Sequence, residues 1–349
     1  MVADPSPGAV DHGSPSRAGG LVGIVVPAYN AERWIGATLR SVQAQTYEAW
    51  SCVVVDDGSQ DGTVNVVRSF TAGDDRIRLV TQPNGGVSSA RNAGLRELPD
   101  CAYLTFLDSD DVWLPDAVEV LVTALQHRPD AVGAYGLAEY IDDRGQPLHP
   151  GLHPERQRWR RELKGRRLRL QEPTEDATFR TMIVVGPIWP PAVAVQRTET
   201  VVAVGGFDPT FPILQDWEFY LRLTRHGPYV AVDRHVAQYR RQDNNLTSQH
   251  DRVQYDADRV RRVAWASSDN TPQQRQELVH AWRRLERRQV LVLGRHLLRS
   301  LGRRRWRSAG EAAVGTVLSA GLSLRPAPPQ PSARRTRFTR PDDLLDVPL

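Results

Sequence analysis

The sequence predicts an α/β fold: a mostly parallel central sheet with helices on both faces, followed by a helical C-terminal extension. Three observations predict it. From Leu21 onward, short β-branched runs alternate with stretches of helical spacing. The strands read as continuous apolar runs, as a sheet covered on both faces requires. The polar clusters "PAYN", "DDGSQDGT" and "DSDD" each come directly after a strand, the end of an open α/β sheet at which ligands bind.

Taken in order, "LVGIVV" is the first strand, "AERWIGATLRSVQAQ" the first helix, "SCVVV" the second strand and "DGTVNVVRSF" the second helix. "RIRLV", the helix "GVSSARNAGLREL", the strand "AYLTFL", the helix "DAVEVLVTALQ" and the strand "AVGAYGLA" follow. From Asp142 to Thr174 the pattern breaks into a basic, proline-containing stretch that reads as a loop. Regularity returns with "AVAVQ", "GGFDPTF", the amphipathic helix "QDWEFYLRLTRHG" and a strand around "YVAVD". From Asp251 to about Leu301 the spacing is helical, with apolar positions at Leu278, Trp282 and Leu285. The division expected is a disordered lead over 1–20, a main domain over 21–245, a helical extension over 246–324 and a disordered Pro/Arg-rich tail over 325–349.

At 349 residues the chain is long enough for one large α/β domain plus an accessory segment, or for two modest domains. A net charge of +4 says nothing by itself about nucleic acid. Two cysteines, Cys52 and Cys101, in apolar strand-like contexts exclude a disulfide framework and suit a reducing compartment. The N-terminus lacks a basic stretch followed by an apolar core, so it does not read as a signal peptide. No apolar run reaches about 18 residues; "AAVGTVLSAGLSL" from Ala312 is too short to span a bilayer. The expected location is cytoplasmic.

Three motifs carry chemistry. In "LDSDDVWLP", Asp108 and Asp110 leave a buried strand at a spacing of two. Carboxylates so placed can point oxygens at one hard cation, Mg²⁺ or Mn²⁺, that keeps positions open for diphosphate oxygens. The competing reading is that Asp110 or Asp111 caps the next helix. In "VVVDDGSQDGT", a turn with Asp61 as helix cap accounts for Gly58, Ser59 and Asp61 but not for Asp57, whose carboxylate could accept hydrogen bonds from a nucleobase or ribose. In "NGGVSSARNAG", Gly85 and Gly86 let backbone approach a ligand, and Arg91 can reach back to the acidic strand ends or to a phosphate. No Lys-Ser or Lys-Thr follows the glycines and no G-x-G-x-x-G follows the first strand, which excludes a Walker loop and speaks against a dehydrogenase.

The motifs "VVPAYNAE", "VVVDDGSQDGT", "GGVSSARNAG", "FLDSDDVWLP" and "GGFDPTF…QDWEFYLRL" together resemble glycosyltransferase family 2 in order and spacing, over residues 21–245. The resemblance implies a GT-A-type, Rossmann-like sheet with a nucleotide-binding half (21–130) and an acceptor-binding half (131–245). It implies an inverting enzyme that moves a sugar from a nucleotide-diphosphate sugar to an acceptor hydroxyl, in cell-surface polysaccharide or glycoconjugate synthesis, with Mn²⁺ or Mg²⁺ as cofactor. By position it assigns Pro27, Tyr29, Glu32, Asp57, Arg91 and Asp108 to the nucleotide, Asp110 with Asp108 to the metal, and Asp216 to the general base. Glu218 is the second choice for the base, because Gln215 replaces the usual acidic neighbour, and Trp217 reads equally as acceptor wall or core. Gln242 falls where the family often has a metal-proximal histidine; Asp243 or His250 could substitute. A sugar-phosphate nucleotidyltransferase and a non-catalytic nucleotide-sugar-binding scaffold are the alternatives.

The arginine-rich stretches His153–Leu170 and Trp282–Arg307 are open to three readings: solvated helix faces with apolar stripes, a basic surface resting on anionic lipid at the inner face of the plasma membrane, and a nucleic-acid surface. No recognition fold accompanies the arginines, so nucleic acid is not expected as a partner. The expected acceptor is a carbohydrate or a lipid-linked sugar.

Overall fold

The computed structural model describes residues 19–148, 160–163, 166–169, 175–184, 186–242, 250–283 and 313. The first strands and helices fall where the pattern puts them: β1 (Val22–Ala28), α1 (Ile35–Gln43), β2 (Trp50–Asp56), α2 (Thr63–Thr71), β3 (Ile77–Thr81), α3 (Val87–Arg96) and β4 (Tyr103–Phe106). A two-residue strand β5 (Val112–Trp113), helix α4 (Ala117–Gln126) and β6 (Gly133–Ile141) follow. Residues Arg160–Leu163 (β7) and Arg166–Arg169 (β8) pair as a small antiparallel hairpin of their own, inside the stretch expected to be a loop. Then come α5 (Phe179–Val184), β9 (Ala194–Arg197), α6 (Thr198–Ala203), α7 (Gln215–Leu223), β10 (Tyr229–Arg240) and α8 (His250–Ala266). "GGFDPTF" forms a turn-rich connection.

Eight strands make one sheet in the order β3-β2-β1-β4-β9-β6-β10-β5. Only β9 and β5 run against their neighbours, so the sheet is mostly parallel. Burial explains the residue choice: every residue of β1 and all of β2 but Ser51 are buried, a demand that β-branched residues meet in an extended chain. The antiparallel β9 brings the preceding residues 186–193 to the carboxyl ends of β4 and β6, the same end at which the acidic clusters leave β2 and β4.

Helix α3 packs directly on β1 at Gly94, where a Cβ would collide with Val25 Cγ1 and lie 3.0 Å from Cγ2. Val25 is fully buried mid-strand and has nowhere to go. Gly94→Ala is therefore expected to destabilise the fold by about 1–3 kcal/mol, the usual cost of overpacking, read as a lower midpoint of urea unfolding with unchanged slope.

Beyond β10 the described residues form α8 and a further helical run over 272–283. The lead over 1–18, the second arginine-rich stretch beyond Arg283, the tail, and residues 243–249 lie outside the described residues. No helix among the described residues is long and apolar enough to cross a membrane.

Candidate functional site

The loops after β1 and β2 are laced into one surface. Asn30, at φ 49° in the left-handed region that asparagine tolerates, donates its amide to Ser59 Oγ at 2.9 Å and accepts from the Gln60 amide at 2.9 Å. Asp61 accepts from the amides of Thr63 and Glu32, so it caps the start of α2 from one residue outside the Gly62 cap position. Glu32 Oε2 accepts from the Gly62 amide at 3.0 Å: this side chain ties the two loops together. Tyr29 stands 50% exposed beside them, while Pro27 is buried within β1. Of the two, only Tyr29 presents a face to a ligand.

Asp57 is 3% exposed and accepts three hydrogen bonds: from the amides of Gly85 and Gly86, both at 2.8 Å, and from Gln82 Nε2 at 2.7 Å. Gly86 adopts φ +84°, which an L side chain resists. The carboxylate thus folds the glycine loop over the end of β2, with room for one further donor among its roughly four lone-pair positions.

The turn after β4 carries the densest charge. Its backbone is fixed by Thr38 Oγ1, which lies 2.9 and 2.8 Å from the Ser109 and Asp111 carbonyls, and by Arg240 Nε, which donates to the Asp110 carbonyl at 2.8 Å. Asp111 does not cap the next helix. α4 begins past Pro115 with Asp116 at its cap position, and the fully buried Asp111 accepts from the Arg240 amide at 3.0 Å, pinning β10 to the turn. Asp110 accepts from Gln242 Nε2 at 2.7 Å. Burial, with Asp108 nearby, pushes the Asp110 carboxyl up to about 7; burial, with Asp110 and Asp108 beside it, holds Asp111 well above the usual range.

Arg91 joins this turn to α7. It is 1% exposed and donates to Asp108 Oδ1 at 2.6 Å, with Phe207 under its guanidinium at 5.1 Å. Phe207 is itself held by Asn92, whose side chain makes two 2.8 Å bonds to the Phe207 backbone, and stacks on Phe219 of α7 at 4.1 Å. Burial works against the Arg91 charge, but Asp108 and Asp216 outweigh it, and its pKa is raised. Arg91 therefore lies beneath the acidic turn and reaches back to the acidic strand ends, the first of the two targets expected for it.

Asp216 lies in the first turn of α7, which Leu214 enters at φ 57°. The cap position belongs to Leu214, so Asp216 is not the helix cap; its Oδ1 accepts from the Trp217 amide at 2.8 Å. Burial raises its pKa, and Arg91 holds the rise in check. Its neighbours do other work. Glu218 is buried and both its oxygens are held by Arg222, at 2.6 and 2.7 Å, which removes it as a base. Trp217 is 9% exposed, donates to the Met182 carbonyl at 2.5 Å and lies under Arg261; it is core, not acceptor wall. Arg240, Asn92 and Gln82 escaped the sequence reading: each acts on backbone or on a carboxylate distant in the chain, and only the polar character of Asn92 inside a helical stretch hinted at its role.

No three His, Cys, Asp or Glu side chains converge as a complete ligand set among the described residues. What is present is a pair, Asp108 and Asp110, in a corner short of positive charge: one oxygen of each is bonded, to Arg91 and Gln242, and one of each is left. That donor set fits a hard cation that draws its remaining ligands from water or phosphate.

Comparison with known proteins agrees with this geometry. The family model for glycosyl transferase family 2 matches residues 23–184. A putative teichuronic acid biosynthesis glycosyltransferase of Bacillus subtilis is 36% identical over 38% of this chain and 52% of its own length, so the chain matches about half of that relative. Staphylococcus aureus TarS 1–349, solved with UDP-GlcNAc, superposes over 86% of this chain and 89% of its own with a TM-score of 0.58 at 16% identity. A Pyrobaculum calidifontis mannosyltransferase solved with GDP-Man and Mn²⁺ covers 88% of both chains with a TM-score of 0.52 at 16% identity. Fold, motif order and family model coincide: residues 23–184 match the model of glycosyl transferase family 2, and the fold is that of the GT-A neighbours.

Proposed function

We propose that the protein is an inverting glycosyltransferase that moves a sugar from a nucleotide-diphosphate sugar to an acceptor hydroxyl by metal-assisted direct displacement, in polysaccharide or glycoconjugate synthesis. The observation that supports it most is the buried Arg91, bonded to Asp108 and held charged by both Asp108 and Asp216. One fixed cation links the carboxylate pair suited to a cation with the carboxylate suited to a base. The solved neighbours bound to UDP-GlcNAc and to GDP-Man with Mn²⁺ support the same donor class and cofactor.

The residues divide the work. Tyr29 and Asp57 face the base and ribose, Asp57 held in place by the glycine loop. Asp108 and Asp110 would hold Mn²⁺ or Mg²⁺, which when bound neutralises charge on the departing diphosphate as a Lewis acid. Asp216 takes the acceptor proton as its oxygen attacks. Its raised pKa makes it a stronger base than an exposed carboxylate, and Arg91 holds that rise in check. A single displacement inverts the anomeric centre and needs no enzyme nucleophile.

A panel of UDP-, GDP- and dTDP-sugars with Mn²⁺ or Mg²⁺ tests the reading. One donor class is expected to raise the melting temperature by several degrees, because ligand at a hundred times its dissociation constant adds about 2.7 kcal/mol. The same donor should release nucleotide slowly into water, and chelation should abolish both effects. If no donor shifts melting or releases nucleotide in the presence of either cation, the proposal fails.

A further inference from the structure

A transferase also needs a place for the acceptor ring, and three aromatic side chains gather at the ligand end of the sheet. Tyr140 of β6 and Tyr239 of β10 are register partners across a parallel pair, so they stand on the same face, with rings edge to face at 5.7 Å. Trp189 lies against Tyr239 with centroids 4.4 Å apart, and 6.3 Å from Tyr140. One step back on that face, Ala138 and Ala237 are buried, whereas Tyr140, Trp189 and Tyr239 are each partly exposed.

The cluster lies at the carboxyl ends of β6 and β10, the end of the sheet at which the acidic turn leaves β4. Tyr239 precedes Arg240, which grips the Asp110 carbonyl. Trp189 lies three residues from Gly186, where a Cβ would be 2.9 Å from Trp217 Cδ1, and Trp217 adjoins Asp216. It is also on the far side of β9 from the loops that follow β1 and β2, so a nucleobase is not its occupant.

We propose that Tyr140, Trp189 and Tyr239 form a platform on which a pyranose ring of the acceptor stacks; this rests on the glycosyltransferase reading. The C–H face of a pyranose is apolar with a slight positive charge, and it meets the negative face of an aromatic ring favourably. Rigid aromatic rings add contact area at small entropic cost, which suits an uncharged sugar with no ion pair to offer.

Saturation-transfer NMR with methyl glycosides of glucose, galactose, mannose and N-acetylglucosamine, in the presence of UDP or GDP and Mn²⁺, tests it. Wild type and Trp189→Phe are expected to saturate the protons of one ring face of at least one glycoside. Trp189→Ala should weaken that binding about fivefold and leave the nucleotide-induced melting shift unchanged. Tyr140→Ala gives the same comparison should Trp189→Ala fail to fold. The platform is overturned if Trp189→Ala and Tyr140→Ala keep the wild-type saturation, or if they lose donor binding instead. It is also overturned if wild type shifts with nucleotide yet touches no glycoside, in which case the transferase reading stands. If wild type shows no nucleotide shift at all, the transferase reading fails and this proposal with it.

Discussion

Asp216→Asn is expected to lower turnover by about 10²–10⁴-fold, the span a positioned general base contributes, while donor still shifts the melting temperature as in wild type. The asparagine oxygen can accept the Trp217 amide bond that Asp216 Oδ1 accepts now, so α7 should start as before. What is lost is the proton acceptor. The pH profile supplies a second reading: with the Asp216 pKa raised by burial, the acid limb of wild-type kcat/KM should lie above the ordinary carboxylate range, and the residual activity of Asp216→Asn should lack that limb. Glu218→Gln serves as the contrast. It breaks the pair with Arg222, so it should lower stability and leave the pH limb where it is. Retained turnover in Asp216→Asn would sink the assignment of the base.

How far the sequence could be read follows from what each feature depends on. The strand ends were legible because a buried parallel strand must be apolar throughout, so an aspartate directly after "VVV" or "FL" is conspicuous. Position in the turn was not enough to settle use. Asp111 follows the same strand as Asp110 but turns inward to the Arg240 amide, and nothing in "DSDDVW" distinguishes the two. The sequence places Gln242 where a metal-proximal histidine is expected, yet only the fold reveals that its amide donates to Asp110. Arg91 was legible as a reach toward the acidic ends, whereas its complete burial was not. That burial depends on Phe207, brought beneath it by two bonds to Asn92 across 115 residues of chain. Glu218 shows the reverse failure: an acidic residue at a plausible spacing was consumed by Arg222 one turn on, a local i,i+4 pair that the motif obscured.

Arg91→Met should have the largest effect on stability. The substitution is near in volume but leaves two carboxylates, Asp108 and the buried Asp216, without their shared counter-charge. Breaking a buried pair from one side costs about 3–5 kcal/mol, which for a domain of this size lowers the melting temperature by about 10 °C. The sign of the pH dependence separates this cause from lost packing. Without Arg91, which now holds the Asp216 pKa down, that pKa rises further. A carboxyl whose folded pKa is raised contributes stability that is complete below its unfolded pKa and is lost as pH rises through the folded value. The gap between Arg91→Met and wild type should accordingly be wider at pH 8 than at pH 5, because the stranded Asp216 carboxyl is the more protonated at the lower pH. Arg91→Lys should recover part of the loss, because it restores the charge but not the planar fork. Melting curves at both pH values decide the matter: a gap that is constant or that widens at pH 5 would mean that Arg91 acts through packing over Phe207, and that the link between Asp108 and Asp216 carries no electrostatic weight.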